Sequence, residues 1–228
     1  MFIVKLRSAV LIIVLIIAVD QALKFWIKTS FPFGHVMDIA ALPWAKLYFI
    51  ENKGMAWGME LFGGVWGKIV LTVFRFAAVI FGTWYLGKIV REGYSRGFIV
   101  CASLIYAGAL GNLIDSMFYG LIFSKSDYNT VATLFPPQGT NYEGFLQGHV
   151  VDMLYFPMIR SNYPEWFPFV GGRDFEFFSP IFNIADAAIS VGVITLLVFQ
   201  KRFLHKKEPT TYSTVETSSE VSDQAHVM

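Results

Sequence analysis

The chain has 228 residues, 55% of them hydrophobic and only 15% charged, with a mean hydropathy of +0.52. Soluble domains carry roughly 25% charge and about 45–50% apolar residues, so this composition excludes an ordinary soluble protein. With 18 basic against 17 acidic residues, the net charge of +1 leaves no basic stripe of the kind that nucleic-acid binding needs.

The apolar residues gather in four blocks, each long enough for the about 20 residues of a membrane-crossing helix. The first follows Lys5 and Arg7, with an unbroken apolar run from Ala9 to Val19. A secretory leader begins in the same way, but this run leads into Asp20-Gln21-Ala22-Leu23-Lys24 without a small-x-small cleavage site. Apolar character resumes at Phe25, Trp26 and Ile27, so residues 8–27 read as a retained first helix. Residues 28–65 then mix β-formers with Gly and Pro, and Leu47-Tyr48-Phe49-Ile50 reads as a strand of a small sheet on the membrane.

Two further helices are expected over 66–88 and 97–119. Cys101, the single cysteine, falls inside the second of these and reads as an inert small hydrophobe. Alone, it excludes an internal disulfide and every multi-cysteine zinc pattern. His35, His149, His205 and His226 are scattered without a metal-ligand spacing, so neither a metal nor a cofactor is expected. Residues 120–179 are rich in Pro, Gly, Tyr and Phe, with Trp166 and Phe167 suited to a membrane interface. The fourth helix is expected over 180–200, and the Ser-, Thr- and Glu-rich tail 208–228 reads as disordered. The domain expectation is thus a four-span unit over 1–207 followed by that tail.

Lys5, Arg7, Lys88, Arg91, Arg96, Lys201, Arg202, Lys206 and Lys207 all flank the short-loop side of four spans. That excess of cations makes this side cytoplasmic, with both termini inside and residues 28–65 and 120–179 outside.

Polar groups within or beside membrane helices are costly and so mark candidate sites. Asp20 and Lys24 have the i,i+4 spacing of an ion pair, which either staples the outer end of helix 1 or shapes a site. Arg75 lies about 14 Å along its helix from Trp66, near the bilayer midplane, and needs an interior partner that its own neighbourhood does not name. A structural ion pair is the favoured reading, with a substrate contact as the alternative. In Gly108-Ala109-Leu110-Gly111-Asn112-Leu113-Ile114-Asp115, the glycines permit close helix approach. Asn112 and Asp115 share a face there, as interhelical glue or as the lining of a polar site. Asp152 and Asp186 sit among apolar neighbours at the same depth on the outer side. Each alone reads as a packing or hydrogen-bonding residue. Together they allow the shared-proton chemistry by which two carboxylates activate water.

Five blocks then come in a familiar order: Asp20-x-x-x-Lys24, Asn52-x-Gly54-x-Ala56-x-Gly58, Gly111-Asn112-x-x-Asp115, Val151-Asp152 and Phe182-Asn183-x-Ala185-Asp186. Spread over residues 20–189 with four spans between them, they resemble the lipoprotein signal peptidases (signal peptidase II). The resemblance implies a membrane aspartic endopeptidase that removes signal peptides from bacterial prolipoproteins just before a diacylglyceryl-modified cysteine. Its catalytic aspartates map onto Asp152 and Asp186. Its supporting residues map onto Asp20, Lys24, Asn52, Gly54, Asn112, Asp115 and Asn183. The implied partners are diacylglyceryl-modified prolipoproteins and membrane lipid, with a monomeric enzyme in the inner membrane. The expected fold is an α-helical membrane protein with four transmembrane helices, a small extracytoplasmic β-rich cradle and a long outer loop. Two departures stand out: Ser116 follows Asp115 where the family pattern has arginine, and Tyr119–Gln147 exceeds the compact family form. A proton-coupled transporter using the same acids is the alternative. It is disfavoured because the chain lacks an internal repeat and its acids cluster at the outer edge.

Overall fold

A computed structural model describes residues 2–40, 42–52, 64–157, 159–162, 164–169, 171–177 and 180–204. Gly54, with Ala56 and Gly58, falls outside the described residues, as does the tail 208–228.

Long apolar stretches form the helices α1 (Phe2–Ser30), α2 (Gly64–Arg91) and α3 (Arg96–Ile114). A π-helical turn (Asp115–Tyr119) and a short α4 (Gly120–Ile122) extend α3. Lys5–Ser30, Gly64–Arg91 and Arg96–Ile122 are each long and apolar enough to cross a membrane. The fourth apolar helix, α5 (Ile184–Val198), is shorter than the 180–200 expected and is followed by α6 (Gln200–Leu204). The reason is local. Residues Ile181 and Phe182 are taken up by a strand, and Asn183 caps the helix behind them.

α3 is the central helix, packed against α1, α2 and α5. α1 and α2 turn Val10, Val14, Phe74 and Phe81 outward, as helices do when lipid replaces water. α3 meets α5 closely because Gly108 and Gly111 remove side chains at the contact. A Cβ on Gly108 would lie 2.2 Å from the Ala185 carbonyl oxygen.

At one end, Gly93 adopts φ +78° and turns the chain out of α2, and the Ser95 side chain caps α3 by accepting from Phe98 N. Lys5 Nζ donates to the carbonyl oxygens of Gly93 and Tyr94, tying the start of α1 to this turn. Ala9, Ile89, Val90, Phe98 and Ile99 form the buried cluster beside it.

At the other end lies an antiparallel sheet ordered β1-β2-β3-β6, from β1 (Val36–Ile39), β2 (Leu42–Asn52), β3 (Val150–Tyr155) and β6 (Ile181–Phe182). β2 contains the strand expected at residues 47–50. A separate hairpin pairs β4 (Ile159–Asn162) with β5 (Asp174–Phe177). Ile27, Phe49, Tyr119, Phe123, Val151 and Met153 pack α1, the sheet and the end of α3 into one core. The segment 123–149 is tied down by isolated bridges, by Gly148 N donating to Ser116 O, and by Thr72 of α2 donating to Leu146 O.

Candidate active site

The sheet and α5 meet in a way that joins the two aspartates. Leu154 and Tyr155 of β3 pair with Phe182 and Ile181 of β6, and β6 runs directly into the cap of α5. Asp152 is two residues before Leu154, and Asp186 is four residues after Phe182. Strand pairing therefore brings one to the first turn that carries the other.

Asn183 sits at the junction. Its side-chain oxygen accepts from Asp186 N at 2.8 Å, and its own backbone N–H donates to Asp186 Oδ2 at 3.4 Å, a reciprocal cap. Its amide nitrogen donates to Asp152 Oδ1 at 2.7 Å and to Asn112 Oδ1 at 3.1 Å. Asn112, from α3, donates to Asp186 Oδ1 at 2.7 Å. Asn52, the last residue of β2, donates to Asp152 Oδ2 at 3.3 Å. Each carboxylate is thus held by amide donors, and two of the asparagines are bonded to each other. Each oxygen keeps a lone pair for a further donor such as water.

Behind this layer lies a buried charge cluster. Lys24 Nζ is 2.8 Å from Asp20 Oδ2 and 2.7 Å from Asp115 Oδ2, and all three side chains have no solvent exposure. The same ammonium donates to Asn112 Oδ1 at 3.1 Å, which orients that amide so that its nitrogen faces Asp186. Asp20 Oδ1 accepts from Ala185 N at 2.9 Å, which serves one of the free N–H groups at the start of α5. Asp115 Oδ2 accepts from Val151 N at 3.3 Å, beside Asp152. The ion pair and the site-shaping reading of Asp20 and Lys24 are therefore one arrangement. Asn112 and Asp115 likewise act both as glue and as site lining.

Burial is the first cause that pushes the Asp152 carboxyl up to about 7, and the negative charge of Asp186 is the second. Hydrogen bonds from Asn52 and Asn183, together with the charge of Lys24, act in the opposite direction. A carboxyl raised by the charge of a neighbouring carboxylate is suited to holding a single proton for the two.

Of the expected site residues, the structure brings together Asp20, Lys24, Asn52, Asn112, Asp115, Asp152, Asn183 and Asp186. Gln21 joins them without having been singled out: its amide nitrogen donates to Asp115 Oδ1 at 2.9 Å, and its oxygen accepts from Tyr119 at 3.0 Å. One partner of Arg75 is Ser116, with Nη1 donating to Ser116 Oγ at 2.7 Å. Ser116 Oγ in turn donates to Asn112 O at 2.9 Å. The carboxylates of Asp186, Asp115 and Asp152 act on the guanidinium through space.

The model of the signal peptidase (SPase) II family matches residues 12–201 of this chain. A lipoprotein signal peptidase of Porphyromonas gingivalis is 47% identical over 192 residues, covering 84% of this chain and 81% of that protein. The lipoprotein signal peptidase of Amoebophilus asiaticus is 34% identical over 218 residues, covering 94% of this chain and 86% of that one. A solved structure described as a bacterial membrane enzyme aligns with a TM-score of 0.53 at 24% identity, over 89% of this chain and 93% of its own. That likeness speaks for the fold alone. From the family match and the extent of these relatives, the chain belongs to the signal peptidase II family of bacterial membrane peptidases.

Proposed function

We propose that this peptidase is an aspartic endopeptidase in which Asp152 and Asp186 share one proton and activate water to cut a prolipoprotein signal peptide. The observation that carries the reading is the mutual bracing of the two carboxylates by Asn52, Asn112 and Asn183. The ionised carboxylate takes a proton from water as its oxygen attacks the scissile carbonyl carbon. The protonated carboxyl first donates a hydrogen bond to the carbonyl oxygen. A proton then passes to the leaving nitrogen as the C–N bond breaks, and the pair returns to one proton. Such general acid–base steps contribute roughly 10²–10⁴-fold each. The two apparent pKa values belong to the pair rather than to either residue.

The cut falls before a diacylglyceryl-modified cysteine, and the catalytic end faces outward. What supports this orientation is the gathering of basic residues at the opposite end. Lys5 is bonded there to the α2–α3 turn, beside Lys88, Arg91 and Arg96, and Ser95 donates to Phe203 of the segment that carries Lys201 and Arg202.

The test is cleavage of a lipidated prolipoprotein by the purified protein in detergent. Asp152→Asn and Asp186→Asn should each abolish cleavage with expression and insertion intact, and the double variant should be hardly worse than either. Near-normal cleavage by either single variant would refute the two-carboxylate mechanism.

A further inference from the structure

The ribbon formed by β2 and β3 carries different chemistry on its two faces. Ile50, Glu51 and Asn52 lie opposite Asp152, Val151 and Val150. Successive side chains on a strand point to opposite faces, so the diagonal neighbours Asn52 and Asp152 share one face. Glu51 and His149 share the other. On the first face Asn52 donates to Asp152. On the second, Glu51 Oε2 lies 3.2 Å from His149 Nδ1.

That second face is anchored in depth. Glu51 Oε1 forms an ion pair with Lys28 Nζ, near the end of α1, and Lys28 is fully buried. Lys28 also donates to Ser126 Oγ at 3.0 Å and lies over the rings of Tyr142 and Phe123, at 4.7 and 5.3 Å from their centroids. The Tyr142 hydroxyl accepts from His149 N at 2.8 Å. One buried ammonium thus joins α1, β2 and the long outer segment, and through Glu51 it reaches the entry to β3. None of these groups has a part in the proposed proton transfers, and none lies in the motif blocks.

Taking a lysine and a glutamate out of water is costly, and one role that can offset the cost is the selection of one arrangement over its neighbours. The arrangement here is strand register. A slip of one residue would exchange the faces of the ribbon and turn Asn52 away from Asp152. We propose that Lys28, Glu51 and His149 are positioning residues for the catalytic pair, locking the β2–β3 register from behind so that Asn52 stays on Asp152. The proposal rests on the aspartic-peptidase reading.

Cleavage of a lipidated prolipoprotein by the wild-type protein is measured first, because its absence refutes that reading whatever the variants do. Glu51→Gln, Lys28→Met and the double variant are then compared in detergent by melting temperature, kcat, KM and the pH dependence of kcat. Expected is a loss of ~10-fold or more in kcat with KM within ~2-fold in each folded variant. The alkaline limb of the profile should also move to higher pH, since the Asn52 hydrogen bond favours the ionised form of Asp152. The other groups acting on Asp152 are Asp186 and Asn183 at the start of α5, Lys24 of α1 and Arg75 of α2, all of which the variants retain. If a single variant fails to fold, the double variant carries the test, because it leaves no buried charge without its partner. A folded double variant with wild-type kcat overturns the proposal. So does a lowered kcat with an unmoved alkaline limb, which marks a merely structural role.

Discussion

Asp152 owes its raised pKa to burial first and to Asp186 second, and this sets a pH dependence for turnover. The proposed reaction needs one proton on the pair. With Asp152 pushed up to about 7, that proton is held below about 7 and lost above it. Cleavage should therefore decline as the pH rises through about 7, measured as kcat in detergent at saturating substrate. Asp186→Asn removes the neighbouring charge, and an inactive enzyme with no recoverable limb is the expected companion result. Arg75 offers a second test at this scale. Its guanidinium reaches Ser116, and the Ser116 hydroxyl reaches the backbone of Asn112, whose side chain holds Asp186. Arg75→Ala should lower turnover strongly. Adding Ser116→Arg in that background should restore part of it by returning the cation from the π-helical turn instead of α2. A loss of melting temperature without any restoration would leave Arg75 a purely structural residue.

Helix α3 shows how much of a site rests on backbone approach rather than on reactive groups. Asn112 can reach Asp186 because Gly108, one turn earlier, lets α5 lie against α3. Gly108→Ala would place a methyl group 2.2 Å from the Ala185 carbonyl oxygen, and flexible side-chain motion cannot relieve a contact with backbone. The variant should push α5 outward, lengthen the Asn112–Asp186 bond and cost at least about 10-fold in kcat. Overpacking of this kind typically costs about 1–3 kcal/mol of stability, visible as a lowered melting temperature. Helix periodicity made Gly108, Asn112 and Asp115 legible in the sequence, because i,i+3 and i,i+4 spacing assigns a face before any fold is known. The start of α5 was not legible to the residue. Hydropathy runs on through Ile181 and Phe182, and only pairing with β3 turns those two into strand. Gln21 escaped notice for a related reason: its bond to Asp115 spans 94 residues, and no local pattern announces such a contact.

For the molecule as a whole, the arrangement of charge predicts topology. A reporter fused after Lys207 should read cytoplasmic, and one inserted near Gly139 should read extracytoplasmic. Both reporting the same side would refute the proposed orientation. Long apolar runs and flanking cations are one-dimensional signals, which is why the helical architecture could be read along the chain. The proposed pair was expected from its common depth together with the order of the five blocks, and Asn112 and Asn183 do hold Asp152 and Asp186 in one network. The Lys28–Glu51–His149 cluster was not, since Lys28 meets Ser126 across 98 residues, and Glu51 meets His149 across 98. In sequence His149 is one of four scattered histidines, whereas in the fold a carboxylate on the neighbouring strand, Glu51, lies 3.2 Å from it.

The brevity of α5 has a consequence for the lipid around the protein. At 1.5 Å per residue its 15 residues rise about 22 Å, and Gln200, Lys201 and Arg202 follow soon after. The 29 residues of α1 and the 28 of α2 rise about 40 Å or more. The bilayer's hydrocarbon layer is about 30 Å thick, so α5 by itself falls short of it while α1 and α2 exceed it. Thinning of the lipid bordering α5 is one way to match it, at an elastic cost of a fraction of a kcal/mol per Å. Asp186 stands in the first turn of α5, at the start of that short span. Under the proposed mechanism, thinning at α5 would bring the lipid-modified cysteine of a substrate closer to the depth of Asp186, so the membrane itself would carry out part of the alignment.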